Sequence, residues 1–335
     1  MTQYVSTRGG EAVPFSTALL NGLAPDGGLY VPTSIPAFGD WRSATSFAEA
    51  GYAALAPWLE DEITDLEAIV HDALSFDVPL VDLQGEWSGI SVLELFHGPT
   101  LSFKDVGART MARLMGAVLE GDEVTILAAT SGDTGSAVAD GFAGIEGVRV
   151  VLLYPKGQVS AVQERQLIVE RPDVLTLAVE GTFDDCQRLV KAAFASSRSS
   201  RRLSSANSIN IGRLLPQTTY YAQAAAQAGR GDVVFCVPSG NLGNLTAGTL
   251  AAQAGVPVAG FIAAHNANDG FARFLEGADA PAADSVRTVS NAMDVGVPSN
   301  LERLRSLYDD DDLRRLVHGE AVTDAVTIET MRAVW

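Results

Sequence analysis

Lysine is almost missing from this chain. Only Lys104, Lys156 and Lys191 occur among 335 residues, and the remaining 20 of its 23 basic residues are arginines. Positive charge as a whole is scarce, since 41 Asp plus Glu leave a net charge of −18. A surface this acidic is repelled by nucleic-acid phosphates and by anionic membranes, so neither is an expected partner. Cysteine is limited to Cys186 and Cys236, without a CxxC pair or a His at zinc-ligand spacing. No metal site is expected, and both cysteines read as buried apolar residues of a reducing, cytoplasmic compartment. The first residues lack the basic segment and apolar run of a signal peptide, and the apolar stretch around 254–264 is too short to span a bilayer. No fixed-period repeat is present.

What remains is a globular composition, 47% hydrophobic and 19% charged with 32 glycines. Scaling with mass gives roughly 13,000 Å² of folded surface, enough burial for a large core without disulfides or metals. Apolar β-branched runs at 123–129, 148–154 and 174–179 alternate with helix-period segments starting near 135, 159 and 183. After a polar stretch at 196–205, which reads as an exposed hinge, a helix near 211–229 precedes runs at 232–238 and 258–264, with a helix from about 243 between them. Strand–helix alternation predicts parallel α/β sheets. The first 90 residues differ, with a turn-rich entry at 25–32 and helices at about 46–59 and 62–74. The expected organisation is therefore a cap over 1–90, an α/β lobe over 91–205 and a second α/β lobe over 206–335. At the far end, Ile328, Met331 and Trp335 share one helical face.

Two turns run from a strand into a helix through small residues, an arrangement that aims backbone N–H groups at an anion. One is Thr130, Ser131, Gly132, Asp133, Thr134 and Gly135. The other is Ser239, Gly240, Asn241, Leu242, Gly243 and Asn244. Neither fits GxxxxGK[ST] or GxGxxG, and each is open to a purely geometric reading. Lys104 sits in FHGPTLSFKDVGAR ahead of Met111, Leu114, Met115 and Val118 at helical spacing. Taken alone, a solvated first-turn lysine is the favoured reading, but arginine could not replace it as a carbonyl nucleophile, because only an amine that sheds its proton forms an imine.

HGPTLSFKDVGAR at 97–109, ATSGDTGSAVA at 129–139, YPKGQVSAVQERQ at 154–166, NSINIGRLLPQTTYY at 207–221 and VPSGNLGNLTAG at 237–248 resemble, in order and spacing, the motifs of the threonine synthase family. STRG at 6–9, GLAPDGGLYVP at 22–32, NANDG at 266–270 and NAMDVGVPSNLERL at 291–304 extend the likeness to the longer branch, which carries an N-terminal cap. The resemblance implies a fold type II pyridoxal-phosphate enzyme, tryptophan synthase β-like, a carbon–oxygen lyase turning O-phospho-L-homoserine and water into L-threonine and phosphate. It implies that Lys104 holds pyridoxal 5'-phosphate as an imine and moves protons. The turn Gly240, Asn241, Leu242, Gly243 and Asn244 matches the cofactor-phosphate loop. The turn carrying Thr130, Ser131, Gly132 and Thr134 matches the loop for the substrate α-carboxylate. Asp133 falls near the cofactor's ring hydroxyl, where an acid has to be protonated or hydrogen-bonded.

For the substrate phosphate, Arg213 is the leading candidate, ahead of Arg8, Arg109 and Lys156, because a guanidinium offers a bidentate fork. His97 reads as structural or as support for the site. Relative to this branch the chain stops short, before the part that supplies a hydroxyl to the pyridine nitrogen, so an inactive truncated remnant is one alternative. Others are a serine/threonine dehydratase, a β-replacement enzyme making cysteine, and a nicotinamide oxidoreductase, the last lacking its fingerprint. A monomer or homodimer is expected.

Overall fold

The structure, a computed structural model, describes every residue except Ser131, 196–201, Arg230 and Ala283, and the side chains of Asp184 and Ala195 also lie outside it. The chain opens with β1 (Tyr4–Ser6), α1 (Phe15–Asn21) and β2 (Tyr30–Pro32), β1 and β2 pairing antiparallel. Helices α2 (Phe47–Leu59) and α3 (Leu66–Ala73) follow. Helix α2 starts where Ser46 accepts the Glu49 N–H, and it buries Leu55, Trp58 and Leu59. An antiparallel hairpin of β3 (Leu80–Asp82) and β4 (Ser91–Leu93) leads out of this region.

The next segment carries α4 (Lys104–Leu119), β5 (Val124–Ala129), α5 (Asp133–Phe142), β6 (Val148–Pro155), α6 (Ala161–Leu167), β7 (Val174–Val179), α7 (Phe183–Ala195) and β8 (Arg202–Ser204). Among the described residues the strands form one parallel sheet in the order β7-β6-β5-β8. Residues 202–204 of the polar stretch expected to be a hinge are thus a sheet strand on β5, and 196–201 lie outside the described residues.

Then come α8 (Ile211–Leu214), α9 (Thr218–Ala228), β9 (Val233–Pro238), α10 (Gly243–Gln253), β10 (Val258–His265), α11 (Gly270–Leu275), α12 (Leu301–Leu307), α13 (Asp310–Leu316), β11 (Val317–Ala321) and α14 (Asp324–Val334). Strands β9, β10 and β11 make a second parallel sheet with β10 central. The continuous helix expected over 211–229 is broken at Leu215–Gln217 into a 3-10 turn, because Pro216 cannot donate to the ladder. One apolar cluster runs from Tyr4 and Phe15 through Met111 and Leu152 to Phe261 and Leu304, so cap and lobes share a core.

Not every apolar face is covered. The accessible surface is 15,428 Å², above the roughly 13,000 Å² expected for this mass. Leu175 and Val234 are more than half exposed, and α14 buries none of its residues, Ile328 and Met331 included, nor does Trp335 after it find cover. Cys236 corrects the expectation of a buried cysteine: it is exposed, on the same side of β9 as Val234, whereas Cys186 is buried. Among the described residues no helix is long and apolar enough to cross a membrane.

Candidate active site

Both strand-to-helix turns lie at the carboxyl ends of their parallel strands, where open α/β sheets bind ligands. β5 ends at Ala129 and its turn enters α5, while β9 ends at Pro238 and its turn enters α10. Lys104 is the first residue of α4. Its side chain is only 13% exposed, and Nζ lies 3.4 Å from Asp133 Oδ2 and 4.7 Å from the centre of the Phe103 ring. Burial draws the Lys104 amine below its usual value and Arg213 adds to this, against the opposing pull of Asp133 and Asp105. Burial pushes Asp133 the other way, but Lys104 and the amide of Gln163 outweigh it and hold the carboxyl below its usual range. The acid at 133 is therefore hydrogen-bonded, one of the two states the sequence allowed.

In the first turn, Thr130 is 1% exposed. Its hydroxyl donates to the Gly132 carbonyl and accepts the Gly132 and Gly135 N–H groups, at 3.1, 3.0 and 2.8 Å. That is a hydroxyl's full capacity, so the Thr130 side chain, expected at the substrate, is engaged in building the turn. Thr134 is half-buried with no side-chain partner among the described residues. Gly132 takes φ 143°, and a Cβ there would meet Gln163 Cδ at 2.4 Å. Ser131 lies outside the described residues.

The second turn is braced from outside. Asn241 Nδ2 donates to Ser208 Oγ at 2.6 Å, its Oδ1 accepts Ser299 N–H at 2.5 Å, and its carbonyl accepts from Asn300 at 3.0 Å. Asn244 accepts from Ser239 Oγ and Leu245 N–H and donates to the Pro238 carbonyl. Both side-chain amides are thus spent largely on bracing the turn, which leaves its backbone N–H groups facing outward. Leu242 caps α10 from the left-handed region, φ 58°, with its side chain fully buried. A Cβ at Gly240 would lie 2.9 Å from the Met293 Cα and carbonyl oxygen, and one at Gly243 3.1 Å from Ser208 Cβ. The backbone N–H groups of 240–244 have no acceptor among the described residues. Orphan donors at a helix N-terminus, in a loop too tight for side chains, fit a phosphate group. The amine at Lys104 fits its aldehyde.

Arg213, on α8, is 4% exposed and has no carboxylate within ion-pair distance among the described residues. Its Nη1 donates to the Ala206 carbonyl, while Nε is buried without a partner. Burial pulls its pKa down to about 10, with Asp105 opposing. The other proposed cations are committed elsewhere. Arg8 pairs with Glu302 at 3.1 Å, Arg109 donates to the Ala73 and Asp72 carbonyls, and exposed Lys156 pairs with Glu180 at 2.6 Å. His97 is held by Glu94 at 2.7 Å and packs at a tilt against the Phe96 ring. Sequence reasoning passed over three residues here. Gln163 is bonded to Asp133, and Ser102 Oγ and Asn207 Oδ1 are buried without partners, two residues before Lys104 and one after Ala206. All three lay inside the quoted motifs, but nothing in their spacing separated them from neighbours.

A buried, desolvated lysine facing an acid, with a glycine-bounded anion loop across two parallel sheets, defines a pyridoxal-phosphate-dependent enzyme. The family described as "Pyridoxal-phosphate dependent enzyme" matches residues 78–335, and "Threonine synthase N terminus" matches residues 3–74. The threonine synthase of Serratia marcescens is 43% identical over 335 residues, covering 96% of this chain and 77% of that protein. Solved structures agree. PLP-bound threonine synthase from Brucella melitensis has TM-score 0.91 at 36% identity, over 100% of this chain and 81% of that one. The Escherichia coli threonine synthase structure has TM-score 0.90 at 40% identity, over 99% and 80%. The chain belongs to the threonine synthase family, and its fold is fold type II. A bacterial threonine deaminase structure, with TM-score 0.60 at 19% identity, shares the fold alone.

Proposed function

We propose that this chain converts O-phospho-L-homoserine and water into L-threonine and phosphate, with pyridoxal 5'-phosphate held on Lys104. The observation that carries the reading is the Lys104 amine, buried beside Asp133 and lowered by desolvation. When bound, the cofactor supplies an electron sink for the pair left behind when a C–H bond breaks.

The residues divide the remaining work. Lys104 Nζ would hold the cofactor aldehyde and move protons at the reacting carbons, a task suited to an amine lowered by burial. The N–H groups of Gly240, Asn241, Leu242, Gly243 and Asn244 bind the cofactor phosphate. Asp133 would be the group set toward the cofactor's ring hydroxyl. The backbone of Gly132 and the hydroxyl of Thr134 would receive the substrate carboxylate. Arg213 receives the substrate phosphate, since an unpaired buried guanidinium in an acidic protein gains most from a dianion. The setting is a cytoplasmic one, matching two free cysteines.

The test is an absorbance spectrum of the chain after incubation with pyridoxal phosphate and gel filtration, followed by an assay of phosphate release. A retained band at roughly 410–420 nm that vanishes in Lys104→Ala, with threonine formed and no 2-oxoacid, is the expected outcome. A 2-oxoacid product would make the chain a dehydratase. A folded chain that retains no band would overturn the assignment of activity.

A further inference from the structure

The segment YPKGQVSAVQERQ contains a side chain that the proposed reaction does not use. Gln163 is the third residue of α6 and closes a capping box with Ser160: its N–H reaches Ser160 Oγ at 3.2 Å, and its Oε1 accepts the Ser160 N–H at 3.1 Å. Those two bonds fix the direction of the amide. Oε1 faces the cap, so Nε2 points the other way, and it donates to Asp133 Oδ1 at 2.8 Å. The second oxygen of that carboxylate is the one 3.4 Å from Lys104 Nζ. Gly132 makes room for the contact, since a Cβ there would strike all three terminal atoms of Gln163.

Helix capping does not require glutamine here. A capping box accepts Glu as readily as Gln, because the cap uses only the side-chain oxygen. A Glu at 163 would, however, set a carboxylate against the carboxylate of Asp133. The choice of amide is explained by Asp133, not by the helix. We infer that Gln163 is a positioning residue: its amide fixes which oxygen of Asp133 faces the Lys104 amine and so governs when that amine sheds its proton. The inference rests on the reading of Lys104 as the cofactor lysine. The charged groups facing Lys104 are Asp133 from α5, Asp105 on its own helix and Arg213 from α8. The neighbour of Gln163, Glu164, is turned away to Tyr154.

The test uses the full chain without cofactor and three variants. Gln163→Glu keeps the acceptor for the Ser160 N–H and replaces only the donor to Asp133. At the alkaline pH where Lys104 titrates the added carboxyl is ionised as well as Asp133, and from across Asp133 it holds the Lys104 proton more tightly. Pulse labelling with acetic anhydride across pH, read by peptide mass, resolves each amine, because Lys156 and Lys191 are the only other lysines and serve as exposed references. The Lys104 midpoint is expected to rise by about one pH unit, a tenfold slower labelling below it. In Asp133→Asn with Gln163→Glu the polarity of the pair is reversed and one carboxylate remains, so the midpoint should fall back. Ser160→Ala weakens the cap and leaves the amide in place, so it should lower the melting temperature without moving the midpoint.

An unmoved Lys104 midpoint in folded Gln163→Glu would overturn the inference, as would an equal shift in Ser160→Ala. If Gln163→Glu does not fold, refolding in the double variant supports the pairing, and failure of both overturns it. Labelling needs neither cofactor nor substrate. A chain that releases no phosphate yet shows these shifts would therefore sink the proposed function and leave this inference standing.

Discussion

Among the described residues two arginines are buried, and they are satisfied to very different degrees. Arg303, on α12, is 0% exposed and donates to the Tyr30, Ser208 and Ile209 carbonyls and to Asn300 Oδ1. One guanidinium thereby ties the cap, the segment before α8 and α12 together. Arg213 makes one backbone bond from its guanidinium and leaves Nε orphaned. Burial lowers both, Arg303 to about 9 and Arg213 to about 10. A buried cation whose donors all find oxygens is scaffolding. One whose donors are left over is held ready for an anion that arrives from outside.

The contrast can be tested from its strongest arm downward. Arg303→Met strips three carbonyls and an amide of their donor and should cost roughly 3–5 kcal/mol, read as a lower urea midpoint. Arg213→Ala should leave the urea midpoint within experimental error and instead raise KM for the phosphorylated substrate roughly ten- to a hundredfold. A collapse of stability like that of Arg303→Met would erase the distinction. Inorganic phosphate at about ten times its Kd should stabilise the cofactor-loaded chain by roughly 1.4 kcal/mol and leave loaded Arg213→Ala unchanged, as judged by melting temperature.

The smallest effect concerns pH. Burial is the largest influence on Lys104 and lowers it, while Asp133 raises it. Removing the carboxylate in Asp133→Asn should thus deepen the depression, so the pH for half-maximal cofactor loading moves down by about half to one unit. A midpoint that moved up would mean Asp133 does not act on Lys104 through its charge.

Much of this architecture was legible beforehand because it is written in local pattern. The apolar runs at 148–154, 174–179 and 232–238 became strands within a residue of their expected ends, since β-branched runs between turn residues have few other folded uses. Short strands were not legible: Arg202–Ser204 and Val317–Ala321 have no apolar signature and are strands only because β5 and β10 offer them an edge. In the site, Lys104 and the two glycine turns stood out by residue type. Thr130 did not reveal that its hydroxyl folds inward, and Gln163 carried no signal of its own, because both depend on contacts 2 to 30 residues away in sequence. Burial of Cys236 was misjudged for a related reason: alternation along β9 predicts two faces but not which of them is covered.

Leu242 joins the anion loop to the rest of the molecule in another way. Its backbone sits in the left-handed region, a conformation costing a non-glycine residue on the order of 1–2 kcal/mol, and it is kept there by a side chain sunk completely into the core. The loop's shape is thus a loan from hydrophobic packing. On the proposal that this loop holds the cofactor phosphate, softening the core around Leu242 would let the backbone relax and the N–H groups lose their aim, so retention of pyridoxal phosphate is expected to fade on heating ahead of the loss of helix.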